Sequence, residues 1–473
     1  MRVAGRPVET HPTVPEPLPL RRFMVYVGPV MMTVALGLGT SELILYPRLT
    51  AEFGTGWLGL MVLALLFQTV WAQELARWTV VCGEHGAEAN SRIMTTAGGA
   101  VFISGAMFCA FAIPAWATAA ASALHELIRW PASKELGTLV WAYASFLLVF
   151  LIVFLSKTAR KCIEHIATWA TLGTWALLIV TASMAVQPDS VGRMARHLFV
   201  WEIPAGMNWW VLGSTLAWVG AGPCLLWHTY WMKDAGWGMA TYIGSIPGGM
   251  GEPVRIRSEG LFPEPTPENV SRLKTWIGRS NLVLWLAYFV GSLGTILIFV
   301  GLSDSILRPQ GLIPKGYDVV KHQALFFKAP LGDFGVTLFL AIAWLFFFKS
   351  QMAISEAVVR QNTDLTMRLL RRDDVKRVYL GWWGVYLAIS FVLIGLQYLV
   401  PGASPFAFVT TAAMLSFVSL VVSMGATLVG SIVLYRDLPR EVRPGPLTIG
   451  ALAVGLVFHL YWIVRAVAYH IRP

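Results

Sequence analysis

Charge is what this sequence has least of. Only 13% of its 473 residues are Asp, Glu, Lys or Arg, about half the share of an ordinary soluble domain, which is ~25%. Because 56% of the chain is hydrophobic, a water-soluble globule is excluded. Apolar runs of roughly 20 residues, long enough to cross a bilayer, recur along it. Cysteine is scarce as well. Cys82, Cys109, Cys162 and Cys224 form no CxxC pair and no metal-finger spacing, which excludes a disulfide scaffold and a zinc module. The N-terminus lacks the apolar core of roughly 7–15 residues that a cleavable signal carries. It holds Pro7, Pro12, Pro15, Pro17 and Pro19 instead, and residues 1–22 read as a disordered cytoplasmic tail. No nucleophile–base constellation and no phosphate-cradling loop is present, so an enzyme is not expected. The net charge of +10 finds its explanation in membrane topology rather than in nucleic acid.

Hydropathy predicts an all-α polytopic membrane protein with eleven spans, at about 24–49, 56–80, 99–127, 137–156, 163–186, 207–232, 276–303, 334–356, 378–400, 405–434 and 446–469. Most of the 36 Lys and Arg fall on one side if the N-terminus is cytoplasmic, among them Arg77, Arg92, Lys233, Arg272, Arg360, Arg368 and Arg440. This places the chain in the inner (plasma) membrane with the C-terminus outside. Span order divides it into a first five-helix repeat (23–186), an external loop (187–206), a second five-helix repeat (207–434), and an eleventh helix with the C-terminus (435–473). Within the second repeat lie a cytoplasmic loop at 234–275, containing the Gly-rich stretch Ser245 to Glu252, and an external loop at 304–332. Five spans that start in the cytoplasm, followed by five that start outside, form an inverted repeat by parity.

Two spans are interrupted. Gly37, Leu38, Gly39, Thr40, Ser41 and Glu42 place two glycines, two hydroxyls and a carboxylate in the middle of span 1. Gly220, Ala221, Gly222 and Pro223 interrupt span 6. Each glycine costs a helix about 1 kcal/mol relative to Ala, and a charge at that depth at least roughly 2.5 kcal/mol. Non-helical backbone is tolerated in the bilayer only where protein or a water-filled cavity surrounds it. Paired interrupted spans in matching positions of two halves point to the binding site of a secondary transporter.

The candidate substrate-binding residues are therefore Gly39, Thr40, Ser41, Glu42, Ala221, Gly222, Pro223 and Cys224. Four residues qualify for coupling or counter-charge: Glu42, Lys349, Ser350 and His228. Glu42 is a coupling carboxylate, or a cap on the second half of span 1. Lys349 is a fixed cation facing span 1, either paired with Glu42 or standing where a transported cation would bind; the alternative is a lysine snorkelling to the interface. His228, one turn beyond Pro223, is a proton relay or a structurally bonded core residue. Thr410, Thr411 and Ser416 of span 10 either line the same cavity or serve helix packing.

Several stretches carry a family resemblance. Gly28 and Pro29, the run from Thr50 to Gly54, the run from Leu75 to Gly83, and Ala87 with Glu88 are similar to the first two helices of the Nramp family of divalent-metal transporters. The span 6 break is similar to that family's sixth helix. The resemblance implies a LeuT-type 5+5 inverted repeat with helices 1 and 6 broken. The family's Asp-Pro-Gly-Asn motif falls here on Gly39, Thr40, Ser41 and Glu42. Its Met-Pro-His falls on Gly222, Pro223 and Cys224, so the metal-binding side chains are replaced and the soft thioether is gone. The charged proton route of helix 3 is missing as well, since residues 102–124 hold no ionisable side chain but Cys109. A dehydrated divalent cation would find at most Glu42 and Cys224. A small oxyanion would find main-chain N–H groups, two hydroxyls and Lys349. The expected function is ion-coupled transport of a small inorganic anion such as bicarbonate, with no resident cofactor or metal and with Na⁺ or H⁺ as a co-transported cation. The alternatives are a Mn²⁺ or Mg²⁺ transporter rebuilt around Glu42, and a non-transporting membrane sensor. The partners expected are the inorganic ion and the lipid bilayer, with no nucleic acid.

Overall fold

The computed structural model describes residues 2–3, 6–19, 23–155, 159–244, 246, 257, 259–370 and 374–471; of Gly39 and Thr40 only the backbone is described. Among the cations assigned to the cytoplasmic side, Arg21, Arg22, Lys157, Arg255, Arg371 and Arg372 lie outside the described residues, as does most of the stretch from Ser245 to Glu252. Among the described residues, eleven helices are long and apolar enough to cross a membrane. They run Val27–Phe53, Leu58–Cys82, Ala97–Ile128, Lys134–Leu155, Thr168–Ala185, Trp209–Asp234, Pro267–Gln310, His322–Leu370, Val375–Leu399, Pro405–Asp437 and Pro446–Ile471, and keep the span numbers used above.

Burial sorts the spans into a centre and a rim. The apolar window of span 1 is 100% buried and that of span 6 is 89% buried, against 22% for span 11. Spans 1 and 6 are the two innermost, and outward-facing Val454, Val457, Leu460 and Val464 of span 11 are left for lipid. Side-chain caps fix the helix starts, where backbone N–H groups have no partner in the preceding turn. Asn208 accepts from Val211 N at span 6, Thr266 from Asn269 N at span 7, Asp374 from Arg377 N at span 9 and Ser404 from Ala407 N at span 10.

Four expectations are corrected. Span 1 is not unwound: Phe23–Gly37 continues through a π-helical stretch, Leu38–Leu45, into Tyr46–Phe53. The Asp-Pro-Gly-Asn proline position holds Thr40, so no backbone donor is missing there, and the chain can widen its turn instead of breaking. Tyr46 N donates to Ser41 O, five residues back.

The described part of the tail is not loose. Thr10–His11 pairs in parallel with Phe262–Pro263, and Val14 is buried. Asn269 accepts from Val14 N at 2.9 Å and donates to Pro12 O at 2.8 Å. Trp276 Nε1 donates to Pro15 O at 3.0 Å. Thr10–His11 is a short strand, and the backbone groups of Pro12, Val14 and Pro15 that follow it are bound by span 7.

The loops are shorter than hydropathy alone suggests. Span 7 begins at Pro267 within the predicted 234–275 loop and extends to Gln310. Helical residues from His322, bent at Gly332 (φ 61°), take up the end of the 304–332 loop, which leaves 311–321 as the connection. A helix at Pro188–His197 occupies much of 187–206. Polar helical turns carry no hydropathy signal, which is why these were read as loops.

Finally, span 3 is broken as well. Ala106–Phe111 ends, Ala112 to Pro114 turn, and Ala115–Ile128 begins anew.

Candidate functional site

Span 6 is the interrupted helix in the full sense. Trp209–Ala217 stops, Trp218 to Ala221 turn, Gly222–Cys224 form one 3₁₀ turn, and Leu225–Asp234 resumes. Gly220 (φ 62°) and Gly222 (φ 53°) adopt the left-handed region, which a side chain would strain. The crossing with span 1 is closer still. A Cβ on Gly37 would stand 1.8 Å from Gly220 O and 3.0 Å from Glu42 Oε1. The main chains of the two innermost spans therefore touch at one point, and the Glu42 carboxylate stands beside it. Glu42 is buried and accepts from Ser41 Oγ at 2.8 Å.

Tyr288 of span 7 is the residue that sequence reasoning missed. Its hydroxyl donates to Val219 O at 3.3 Å and accepts from Ala221 N at 3.4 Å, tying the break from one side. A Cβ on Gly220 would meet this hydroxyl at 2.7 Å. Nothing in the sequence singles out one tyrosine among the 13. The break of span 3 did carry a signal in Pro114. Its loose ends are capped by spans 8 and 9: Tyr386 Oη donates to Phe111 O, Ser390 Oγ donates to Ala112 O, and Gln351 Oε1 accepts from Ala117 N, at 2.9, 2.9 and 3.1 Å.

The predicted site residues divide. Ser41, Glu42, Ala221, Gly222, Pro223 and Cys224 come together, all buried; Gly39 and Thr40 are there as backbone, within the wide turn. Lys349 reaches span 1 from span 8 but does not pair with Glu42. Its Nζ donates to Ala35 O at 2.9 Å, just before the helix changes pitch, and lies 4.2 Å from the centre of the Phe346 ring. The snorkelling alternative falls, since the residue is only 2% exposed. His228 Nδ1 and Thr33 Oγ1 share a hydrogen bond at 3.3 Å, while Nε2 has no partner among the described residues. The hydroxyl of Ser350 is buried and has no partner among the described residues. Ser416 accepts from Trp218 Nε1 at 2.8 Å, and Thr411 faces outward.

The oxyanion inventory is smaller than expected. Ala221 N is taken by Tyr288, Gly222 N donates to Val219 O, and Cys224 N donates to Ala221 O. Pro223 has no N–H, and span 1 keeps its amides in helical bonds. The metal inventory is small as well. Among the described residues the one His/Cys/Asp/Glu trio of ligand spacing is His85, Glu88 and Asp364, at the end of the bundle that bears the N-terminus. That trio is an ion-pair network. Lys233 Nζ stands 3.3 Å from both carboxylates, and His85 Nδ1 accepts from Ala87 N, which leaves the proton on Nε2.

No family model matches the sequence, and no curated protein matches it. Solved structures do. A single-residue variant of the manganese transporter of Eremococcus coleocola superposes with a TM-score of 0.65 at 13% identity, over 98% of this chain and 90% of that one. The same transporter in complex with an aromatic bis-isothiourea substituted compound gives 0.64 at 14% identity over the same shares. Mhp1, a nucleobase-cation-symport-1 family transporter with bromovinylhydantoin bound, gives 0.53 at 10% identity, over 94% of this chain and 92% of that one. The fold is theirs. At these identities the likeness is one of architecture, and the site has to be read from its own residues.

Proposed function

We propose that this chain is a secondary transporter. It would carry a small polar solute by alternating access, held where the wide turn of span 1 crosses the break of span 6. The observation that carries the reading is the main-chain contact of Gly37 with Gly220, with the Glu42 carboxylate beside it. Such a crossing gives spans 1 and 6 one fixed point of contact about which they can move, and a membrane-buried carboxylate bonded among the described side chains to Ser41 alone is costly without a function. The architecture shared with two transporters supports the same reading. Lys349 holds the span 1 carbonyl as a fixed cation, so Na⁺ or H⁺ coupling falls to Glu42. The positive-charge bias supports a cytoplasmic N-terminus and an external C-terminus.

The cargo follows from what the site offers. Bicarbonate needs free amide donors, and those of Ala221, Gly222 and Cys224 are engaged. A neutral or zwitterionic solute fits the carboxylate, the hydroxyls and the apolar walls better. A divalent cation is the second reading, favoured by one observation: Glu42 lies in the span 1 turn of a fold that a manganese transporter shares. Proteoliposome flux tests both. Solute uptake lost in Glu42→Gln supports the proposal. Mn²⁺ uptake lost in the same variant establishes the metal reading. No flux of organic solute, bicarbonate, Mn²⁺ or Mg²⁺ overturns transport and favours a sensor.

A further inference from the structure

The described part of the N-terminal tail is held by one face of span 7. Asn269, Arg272, Trp276 and Arg279 follow one another at intervals of three, four and three residues, which sets them in a single stripe along the helix. Each gives a side-chain N–H to a main-chain carbonyl of the tail. Asn269 Nδ2 donates to Pro12 O at 2.8 Å, Arg272 Nη1 to Val14 O at 2.7 Å and Trp276 Nε1 to Pro15 O at 3.0 Å. Arg279 Nη1 donates to Leu18 O. The donors follow the order of the acceptors, so the tail runs parallel to the helix. Val14 anchors it, with 0% of its surface exposed and its N–H given to Asn269 Oδ1.

The same tail closes against the segment that leads into span 7. Thr10 and His11 pair with Phe262 and Pro263. Phe262 N donates to Glu9 O and Glu264 N to His11 O, both at 3.0 Å, and the His11 ring stacks on Tyr242 at 3.9 Å. That segment is bound in turn to the end of span 2. Leu261 N donates to Cys82 O, and Gly260 N donates to the Glu84 carboxylate, which Arg92 and Arg368 of span 8 also hold. The tail is thus seated on an assembly that joins spans 2, 7 and 8, and it continues directly into span 1. From Pro19 to Phe23, where the span 1 helix begins, four peptide units reach at most about 14 Å. The first half of span 1 is on a short tether while the tail stays seated.

Resting on the transporter reading above, we propose that residues 8–19 are a latch on the end of the bundle that bears the N-terminus. Alternating access requires the first half of span 1 to part from span 6 on the N-terminal side of their crossing. Thr33, one turn before Gly37, lies in that seam: it is 0% exposed and shares a hydrogen bond with His228 of span 6. With the tail seated, span 1 is tied to the elements it has to leave. The seated tail therefore favours the closed end, and its release favours opening, because a contact made in one state alone shifts the balance toward that state. Most of what holds the tail is main chain, and Val14 is the one buried side chain between residues 8 and 19. A single substitution there unseats the latch without altering any span.

The test uses the purified full chain in detergent, with Thr33→Cys as the reporter of the seam. A water-soluble maleimide is added, and its rate of reaction at residue 33 is read by peptide mass spectrometry, which separates it from the native cysteines. The position should react slowly with the tail seated. Val14→Asp puts a charge into the socket and should speed the reaction at least about tenfold, the effect of losing two ordinary hydrogen bonds. Limited proteolysis reports that the tail has been released. The opposite variant combines His11→Cys with Pro263→Cys. These strand partners lie about 4.8 Å apart, a separation that a disulfide spans. Oxidation should slow the reaction at residue 33 below the reporter's own rate, and reductant should restore it. A released tail with an unchanged rate overturns the latch, and so does an oxidised pair that reacts as fast as the reduced one. Either result in a preparation that transports solute leaves the transporter reading standing. A rate that depends on the tail, without flux of organic solute, bicarbonate, Mn²⁺ or Mg²⁺, keeps the latch and overturns transport.

Discussion

Gly37→Ala is the sharpest perturbation of the crossing. The added methyl would lie 1.8 Å from Gly220 O, a main-chain atom, whereas carbon and carbonyl oxygen ordinarily approach no closer than about 3.3 Å. The spans must part by roughly 1.5 Å, the difference between those distances. No flexible side chain is present to yield, and Tyr288 braces the break from the other side. Overpacking of this kind costs about 1–3 kcal/mol, and the present case belongs at the upper end because backbone is displaced. The proper control is Gly294→Ala in span 7, where an added Cβ meets nothing within 4 Å. There the same change should be neutral or stabilise by up to about 1 kcal/mol, through helix propensity. Thermal unfolding in detergent and proteoliposome flux are measured on both variants. Gly37→Ala should melt several degrees below the wild type and lose transport, while Gly294→Ala should match it in both. If the two variants behave alike, spans 1 and 6 do not touch as described and the site has no fixed crossing.

Three further outcomes are expected. Burial alone would raise the Glu84 carboxyl, but the Arg92 and Arg368 guanidiniums and the Gly260 amide hold it well below its ordinary value of 4.5. Its contribution to stability is therefore full above about pH 4.5 and is lost as pH falls through the depressed range. Glu84→Gln should flatten that acid limb in thermal melts and cost about 1–3 kcal/mol at pH 7, because the half-buried Arg92 loses its carboxylate while Arg368 keeps Glu88 at 3.6 Å. Tyr288→Phe removes the hydroxyl between Val219 O and Ala221 N; it should cost about 1–3 kcal/mol and slow flux more than tenfold, and a wild-type rate would remove Tyr288 from the site. Asn269→Ala frees Val14 N and Pro12 O, so limited proteolysis of the N-terminal segment should accelerate with little change in global melting.

Hydropathy read the eleven spans well because each long apolar run has one physical use in this composition. It read the breaks less well. Pro223 with its flanking glycines marks span 6 correctly, since a residue without an N–H and two left-handed glycines leave a helix no way through. In span 1 the glycines only permit a departure from the α-helix. With Thr40 in place of a proline the chain keeps its hydrogen bonds and merely widens. Pro114 carried the same mark as Pro223 but was overlooked in a span without charge. Tyr288 was illegible for a different reason: a tyrosine on an apolar face becomes a cap only through the partner that the fold brings to it. The tail was misread because proline richness says only that a segment will not be helical, and an extended segment is what Phe262 and Asn269 bind.

The two ends of the bundle are closed by networks of unequal strength, and this orders the motion. At the end bearing the N-terminus, Lys233 (2% exposed) joins Glu88 and Asp364, and Arg360 (3%) joins Asp234 at 2.6 Å, tying span 6 to span 8. At the other end Asp304 holds Arg193 (42% exposed) at 2.6 Å and Arg308 (45%) at 3.1 Å. Glu126 there holds Lys134 (23%) at 2.7 Å. Removing one partner from a pair buried on both sides costs about 3–5 kcal/mol, whereas a pair whose arginine stands in water, as Arg193 and Arg308 do beside the buried Asp304, is worth less because solvent screens it. The end with exposed arginines should therefore open first in the unloaded protein. Opening the other should require cargo to supply the difference, since a ligand shifts an equilibrium only by its differential affinity for the two states. Spin labels on spans 6 and 8 near residues 234 and 364 should report a single narrow distance without substrate. Labels near residues 196 and 308 should report a broad one. A broad distribution at the first pair and a narrow one at the second would reverse the order of opening and refute the ranking by burial.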